Sequence, residues 1–251
     1  MDYGAWLLFL LLAASAIGRL HSEPILRLPS EKEIPSDYCD GWRLAVETNN
    51  AGAWERVPAS CVGFVAEYMT GDRYRRDCEV VGKLSSAFAR SVGLAGDGRD
   101  AWVFDIDETL LSNLPYYQDI GFGFELFNET SFDNWVMLAA APALPSSLSL
   151  YNELQELGFK VFLLTGRIEY QRNATETNLL LSGYKNWERL FLRGSSDQGK
   201  PASTYKSEKR AELESEGYRI HGNSGDQWSD LLGYAVAARS FKIPNPMYYI
   251  P

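Results

Sequence analysis

Trp102-Val-Phe-Asp105-Ile-Asp107-Glu-Thr109-Leu-Leu111 decides the fold: a short apolar run that ends abruptly in two carboxylates one residue apart and then a hydroxyl. Ala101 to Phe104 reads as a buried strand, being apolar and β-branched or aromatic, with Arg99-Asp100 before it and acids after it. Side chains alternate along an extended chain, so Asp105 and Asp107 are expected to point the same way from the strand's carboxyl end. Two like charges held that close repel unless a cation lies beside them. Asp-x-Asp-x-Thr at a strand end therefore suits Mg²⁺, with one carboxylate free to attack or to move a proton. Taken alone, the stretch also reads as a solvated acidic turn after a core strand.

Downstream, strand and helix patterns alternate. Leu148 to Leu157 has helical spacing and stops at Gly158, and Lys160 to Leu164 is a buried strand ending in Thr165-Gly166-Arg167. A helix from about Glu169 to Ser182, a strand from Arg189 to Leu192, a helix from Lys206 to Glu216 and a strand from Tyr218 to His221 follow, and a last helix is expected from Trp228 to Arg239. Such alternation predicts an α/β fold, a parallel sheet flanked by helices, with ligands bound outside the carboxyl ends of the strands. Residues 98–251 form this core, interrupted at about 110–143 by an insertion rich in Gly and aromatics such as Tyr116, Tyr117, Phe127, Phe132 and Trp135. Placed after the first strand, it is expected to overhang the site as a partial cap, to form a satellite core, or both.

Upstream, residues 38–97 read as a small helical unit, with a break at Asn49-Asn50, a start signal at Pro58-Ser60 and stops at Gly71 and Gly93. Residues 21–37 read as an extended arm. Residues 1–20 have the apolar core and small-residue pattern of a cleaved secretory signal, although Asp2 stands where a basic residue is usual; a permanent anchor is the alternative. Secretion would make Asn128-Glu-Thr130 and Asn173-Ala-Thr175 glycosylation candidates and place the mature chain outside the cell or in the vacuole, free of the membrane. Three cysteines, Cys39, Cys61 and Cys78, lack metal-ligand spacing. Cys61 and Cys78 flank the Gly71-Asp72 turn and are the favoured disulfide, with three reduced thiols as the alternative. A formal charge of -9 argues against a nucleic-acid partner.

Four elements meet at one edge of the expected sheet: Asp105-x-Asp107-x-Thr109, Thr165-Gly166-Arg167, Lys206, and Gly225-Asp226-Gln-Trp-Ser-Asp230. Hydrolysis of a small phosphate monoester employs them all. Asp105 would be the nucleophile, and Asp107 would protonate the leaving alcohol and then deprotonate water, which favours an acidic optimum. Thr165 and the following backbone N–H of Gly166 would hold phosphate oxygens at a helix N-terminus. Lys206 would neutralise them, Asp226 would complete the Mg²⁺ shell with Asp105 and Asp107, and Asp230 would stand behind it.

These motifs resemble the four of the haloacid-dehalogenase (HAD) superfamily of phosphohydrolases. More narrowly, Trp42 to Gly52, Phe104 to Tyr117 and Gly225 to Gly233 resemble the plant class B acid phosphatases and their relatives, the vegetative storage proteins. The resemblance implies a Rossmann-like core, an obligatory Mg²⁺ held partly by the Asp107 backbone carbonyl, and a homodimer. It points to Lys206 over the nearby Lys200 and Lys209. It also supplies a competing expectation, a nitrogen reserve, since some storage relatives lack the nucleophilic Asp; here Asp105 is intact. A non-catalytic Mg²⁺-dependent binder of phosphoryl ligands would leave Asp107 without a task.

Overall fold

The computed structural model describes residues 37–251, which form one compact unit. The expected signal, and the arm apart from Asp37, lie outside the described residues. The apolar runs form a five-stranded sheet of order β3-β2-β1-β4-β5, every neighbouring pair parallel. Its strands are β1 (Asp100–Phe104), β2 (Lys160–Ile168), β3 (Arg189–Arg193), β4 (Arg219–Gly225) and β5 (Arg239–Lys242). The chain runs from β1 outward through β2 to β3, then returns to lay β4 on the other side of β1. The carboxyl ends of β1 and β4 therefore flank a topological switch point, where open α/β sheets bind ligands.

Helices α1 (Tyr38–Glu47), α2 (Val62–Thr70) and α3 (Asp72–Ser91) precede β1, and α4 (Leu114–Asp119) and α5 (Glu129–Met137) lie in the insertion. Then follow α6 (Pro145–Leu157), α7 (Arg172–Leu181), α8 (Ala202–Ser215) and the short α9 (Trp228–Leu231). One core cluster joins Trp102, Phe104, Leu163, Leu154 and Tyr184, and another joins Val103, Phe162, Tyr205 and Leu213. Trp102 is fully buried, stacks on Phe241 at 5.4 Å and donates its indole N–H to the Ser224 hydroxyl at 3.0 Å. Deleting such a side chain typically costs about 4 kcal/mol. A third cluster joins the N-terminal helices to the insertion through Val65, Tyr68, Tyr116 and Tyr117. The insertion thus builds a satellite core, while its Phe127 stays 62% exposed. Lys242 on β5 pairs with Glu47 on α1 at 2.8 Å, tying the first helix to the sheet edge.

Two expectations are corrected. The disulfide joins Cys39 to Cys61, whose Cα atoms are 5.4 Å apart, and Cys78 is a buried free thiol, so neither the Cys61–Cys78 pair nor three reduced thiols holds. All three cysteines share one apolar cluster, and α1 brings Cys39 within bridging reach of Cys61. Burial pushes the Cys78 thiol up to about 12, which keeps it inert. The last expected helix ends at Leu231, and Arg239 opens β5 instead. Buried Arg210 on α8 draws the intervening carbonyls out of helical pairing, donating to those of Asp230, Leu232, Tyr234 and Ala235.

Candidate active site

Asp105 and Asp107 leave the end of β1 on the same side and line one cavity, with Ile106 fully buried between them. Pairing continues past the strand, since the Asp105 N–H donates to the Ser224 carbonyl at 2.9 Å. Asp226 follows β4, and Asp230 folds back from α9. A Cβ on Gly225 would stand 2.4 Å from that of Asp230, so glycine is what permits this approach. Asp105, Asp226 and Asp230 thereby bring carboxylate oxygens within 4.8 Å of one another, all buried. Lys206, in the second turn of α8, donates to Asp105 at 2.5 Å and to Asp230.

Burial, followed by the Asp230 charge, pushes the Asp105 carboxyl up, and Lys206 offsets part of this. Burial and Asp230 likewise push Asp226 up to about 7. Burial works against the Lys206 ammonium, but Asp105 and Asp230 outweigh it and keep it charged. Three buried carboxylates around one ammonium are short of positive charge, and their hard oxygens suit a divalent cation such as Mg²⁺.

Asp107 has different company. Arg167 grips it from Nη2 at 2.7 Å and Nε at 3.2 Å, the Asn113 amide donates at 2.8 Å, and the Thr165 hydroxyl lies 3.4 Å away. Burial pushes the Asp107 carboxyl up, but the Arg167 charge and these hydrogen bonds outweigh it and hold it below the usual range. Glu108, at φ +52°, turns away from the cavity and accepts from the Asn113 backbone N–H and from the Tyr248 hydroxyl at 2.7 Å. Burial, then the charge of Asp107, pushes Glu108 up to about 8. It clamps the start of the insertion and the C-terminal segment beside the loop that carries Asp105 and Asp107.

The expected residues converge, with three differences. Thr165 and Gly166 lie in the irregular end of β2, and the helical segment that follows opens as a single 3-10 turn at Glu169–Gln171 before α7 begins at Arg172. Gly166 is exposed to the cavity, whereas Thr165 is buried and accepts the Arg167 N–H at 3.1 Å. Asp230, expected behind the metal ligands, joins the carboxylate cluster itself, while the Asp107 side chain turns to Arg167. Lys206 sits inside α8 rather than opening it; Lys200 pairs with Asp197 and Glu208, and Lys209 with Glu212.

Sequence reading assigned no task to Arg167, Asn113, Gln227 or Asn245. Asn245 and Gln227 each donate to Asp226 at 2.7 Å. Arg167 carried a signal, standing directly after a strand-ending Thr-Gly. Asn245 is isolated in a Pro-rich segment and carried none.

Paired acids, a buried Lys and a strand-end Thr at the switch point of a parallel sheet define a phosphohydrolase of the HAD type. Residues 27–251 match the family model described as HAD superfamily, subfamily IIIB (Acid phosphatase), and the chain belongs to that family. Phosphatases of this superfamily generally use a divalent metal and act on small phosphate substrates, and the Asp105, Asp226 and Asp230 cluster could bind such an ion. The chain is 51% identical over 249 residues to Acid phosphatase 1 of Solanum lycopersicum, covering 96% of this chain and 98% of that one. It is 45% identical over 218 residues to the Stem 28 kDa glycoprotein of Glycine max, covering 86% of this chain and 85% of that one. It is 38% identical over 231 residues to Vegetative storage protein 2 of Arabidopsis thaliana, covering 90% and 86%. The class C acid phosphatase from Bacillus anthracis shares the fold, with a TM-score of 0.62 at 24% identity over 75% of this chain and 85% of that one.

Proposed function

We propose that this acid phosphatase hydrolyses phosphate monoesters through an aspartyl-phosphate on Asp105, with Mg²⁺ in the carboxylate cluster, in an extracellular or vacuolar compartment. The observation that carries the reading is the contrast between two carboxylates opening on one cavity: Asp105 beside Lys206, Asp107 beside Arg167. Asp105 attacks phosphorus as the bond to the leaving oxygen breaks, and Asp107, protonated, gives that oxygen its proton. Asp107 then takes a proton from the water that attacks the aspartyl-phosphate, which releases phosphate and restores Asp105. Lys206 restrains the nucleophile, while Thr165 and the Gly166 N–H receive phosphate oxygens. Asp105, Asp226 and the Asp107 carbonyl would hold Mg²⁺, with Asp230 beside them, and the ion would neutralise the dianion that otherwise repels Asp105.

Passage through the secretory pathway is supported by the signal-like residues 1–20, by the disulfide, and by the exposure of Asn128 and Asn173. Likeness to vegetative storage proteins supports a reserve role beside catalysis, not in its place, because Asp105 is intact.

Release of phosphate from an aryl phosphate should vanish with EDTA and return with Mg²⁺. Asp105→Asn should lower turnover by roughly 10³-fold or more, as loss of a nucleophile does, with the thermal midpoint little changed. Normal turnover in that variant would sink the nucleophile assignment, and chelator-resistant activity would sink the metal.

A further inference from the structure

Above the carboxylates the cavity encloses about 410 Å³, far more than a phosphate group fills. Its floor carries the cations Lys206 and Arg167. Its mouth is different: Phe127 and Phe132 from the insertion and Tyr249 from the C-terminal segment supply aromatic surface, and Glu55, Glu129 and Asp133 line the rim. Phe127 is 62% exposed although its ring lies 5.7 Å from that of Phe132. An aromatic ring left open at the mouth of a cavity gains free energy when an apolar ligand covers it.

The rim's acids outnumber its cations three to one. Arg193 also lines the cavity, but its guanidinium donates to the Asp197 and Lys200 carbonyls and lies over the Tyr205 ring. Asp133 accepts from the Gln171 amide at 2.8 Å, a neutral partner that leaves its charge in place. Glu55 and Glu129 are exposed and enter no ion pair among the described residues.

Resting on the phosphatase reading above, we propose that this mouth selects aryl phosphate monoesters whose leaving group is uncharged or cationic and discriminates against anionic leaving groups. The phosphate is drawn to the floor, and the ring stacks among Phe127, Phe132 and Tyr249. A cationic substituent on the far side of the ring meets Glu55, Glu129 and Asp133, whereas a carboxylate there meets three like charges. At contact distance each such pair is worth about 1 kcal/mol even in water, roughly a fivefold change in affinity.

The test is a calorimetric titration of the full, Mg²⁺-loaded protein with three benzylphosphonates that differ only in a para hydrogen, aminomethyl or carboxymethyl group. The aminomethyl compound should bind tightest and the carboxymethyl compound weakest, with a spread of roughly tenfold or more. Neutralising the rim with Glu55→Gln and Glu129→Gln together should shrink that spread several-fold. Phe127→Ala should weaken all three, with affinity for inorganic phosphate unchanged. Equal affinities in the parent, or an undiminished spread in the double variant, would overturn the proposal. Affinity is read here without turnover. A protein with the expected order that releases no phosphate would therefore sink the catalytic reading alone, and one that turns over without the order would sink this one alone.

Discussion

In the proposed reaction Asp107 carries a proton to the leaving alcohol, yet Arg167 holds its carboxyl below the usual range. The proposed role and the depressed pKa fit together if the enzyme works at acidic pH, where a larger share of Asp107 is protonated. The sign follows directly: a depressed pKa moves the loss of the acid form, and so the alkaline limb of kcat/KM, to lower pH. Arg167→Gln removes the cation, lets the Asp107 pKa rise and should move that limb up by about one pH unit. A variant that is merely less active at every pH, with the limb unmoved, would show that Arg167 supports the loop without tuning the acid. Asp105 and Asp107 were legible because a strand alternates its side chains, so their spacing alone puts them on one side. The grip of Arg167 was not, because it depends on how the irregular end of β2 aims one side chain across to the end of β1.

Among the elements, the segment after α9 is where local pattern and tertiary structure part. Leu231, Leu232, Tyr234, Val236 and Ala237 lie close enough together to suggest a continuing helix, yet Leu232, Tyr234 and Val236 stay exposed in an irregular segment. Arg210 supplies the reason, since its buried guanidinium satisfies four carbonyls that a helix would otherwise pair within itself. Arg210→Met leaves the buried Asp230 carbonyl and three part-buried ones without this partner and should cost about 3 kcal/mol, lowering the thermal midpoint by roughly 10 °C. A midpoint within about 2 °C of the parent would show that the segment holds itself. The insertion was better signalled, because its aromatics break the strand and helix alternation. Its division into a buried half, with Tyr116 and Tyr117, and an exposed Phe127 rests on contact with α2 and α3, which lie far away in sequence.

At the scale of the whole molecule, the N-terminal helices and the α/β core make one compact unit, knit by the cluster that holds all three cysteines. The disulfide closes a loop with a sequence separation of 22, and in the chain-entropy account such a bridge stabilises by about 3 kcal/mol. Peptide mapping without reduction should recover Cys39 linked to Cys61. Cys39→Ala should lower the unfolding midpoint in denaturant, whereas Cys78→Ala should leave the bridge intact. Recovery of Cys61 linked to Cys78 would refute the pairing.

The sequence by itself determined the parallel α/β sheet, the family, and the acids, Thr and Lys gathered at one sheet edge. The sheet and the residues gathered at its edge rest on short-range regularities, namely strand alternation, helical spacing and stop residues, that act along the chain, and the family rests on the resemblance of its motifs. Only the tertiary structure decided which cysteines pair, that Asp230 joins Asp105 and Asp226, that Arg167 holds Asp107, and that Phe127, Glu55 and Glu129 line the same cavity as Asp105 and Asp107. Each of these is a contact between residues from different elements, and its energy depends on burial and distance, which no local pattern encodes.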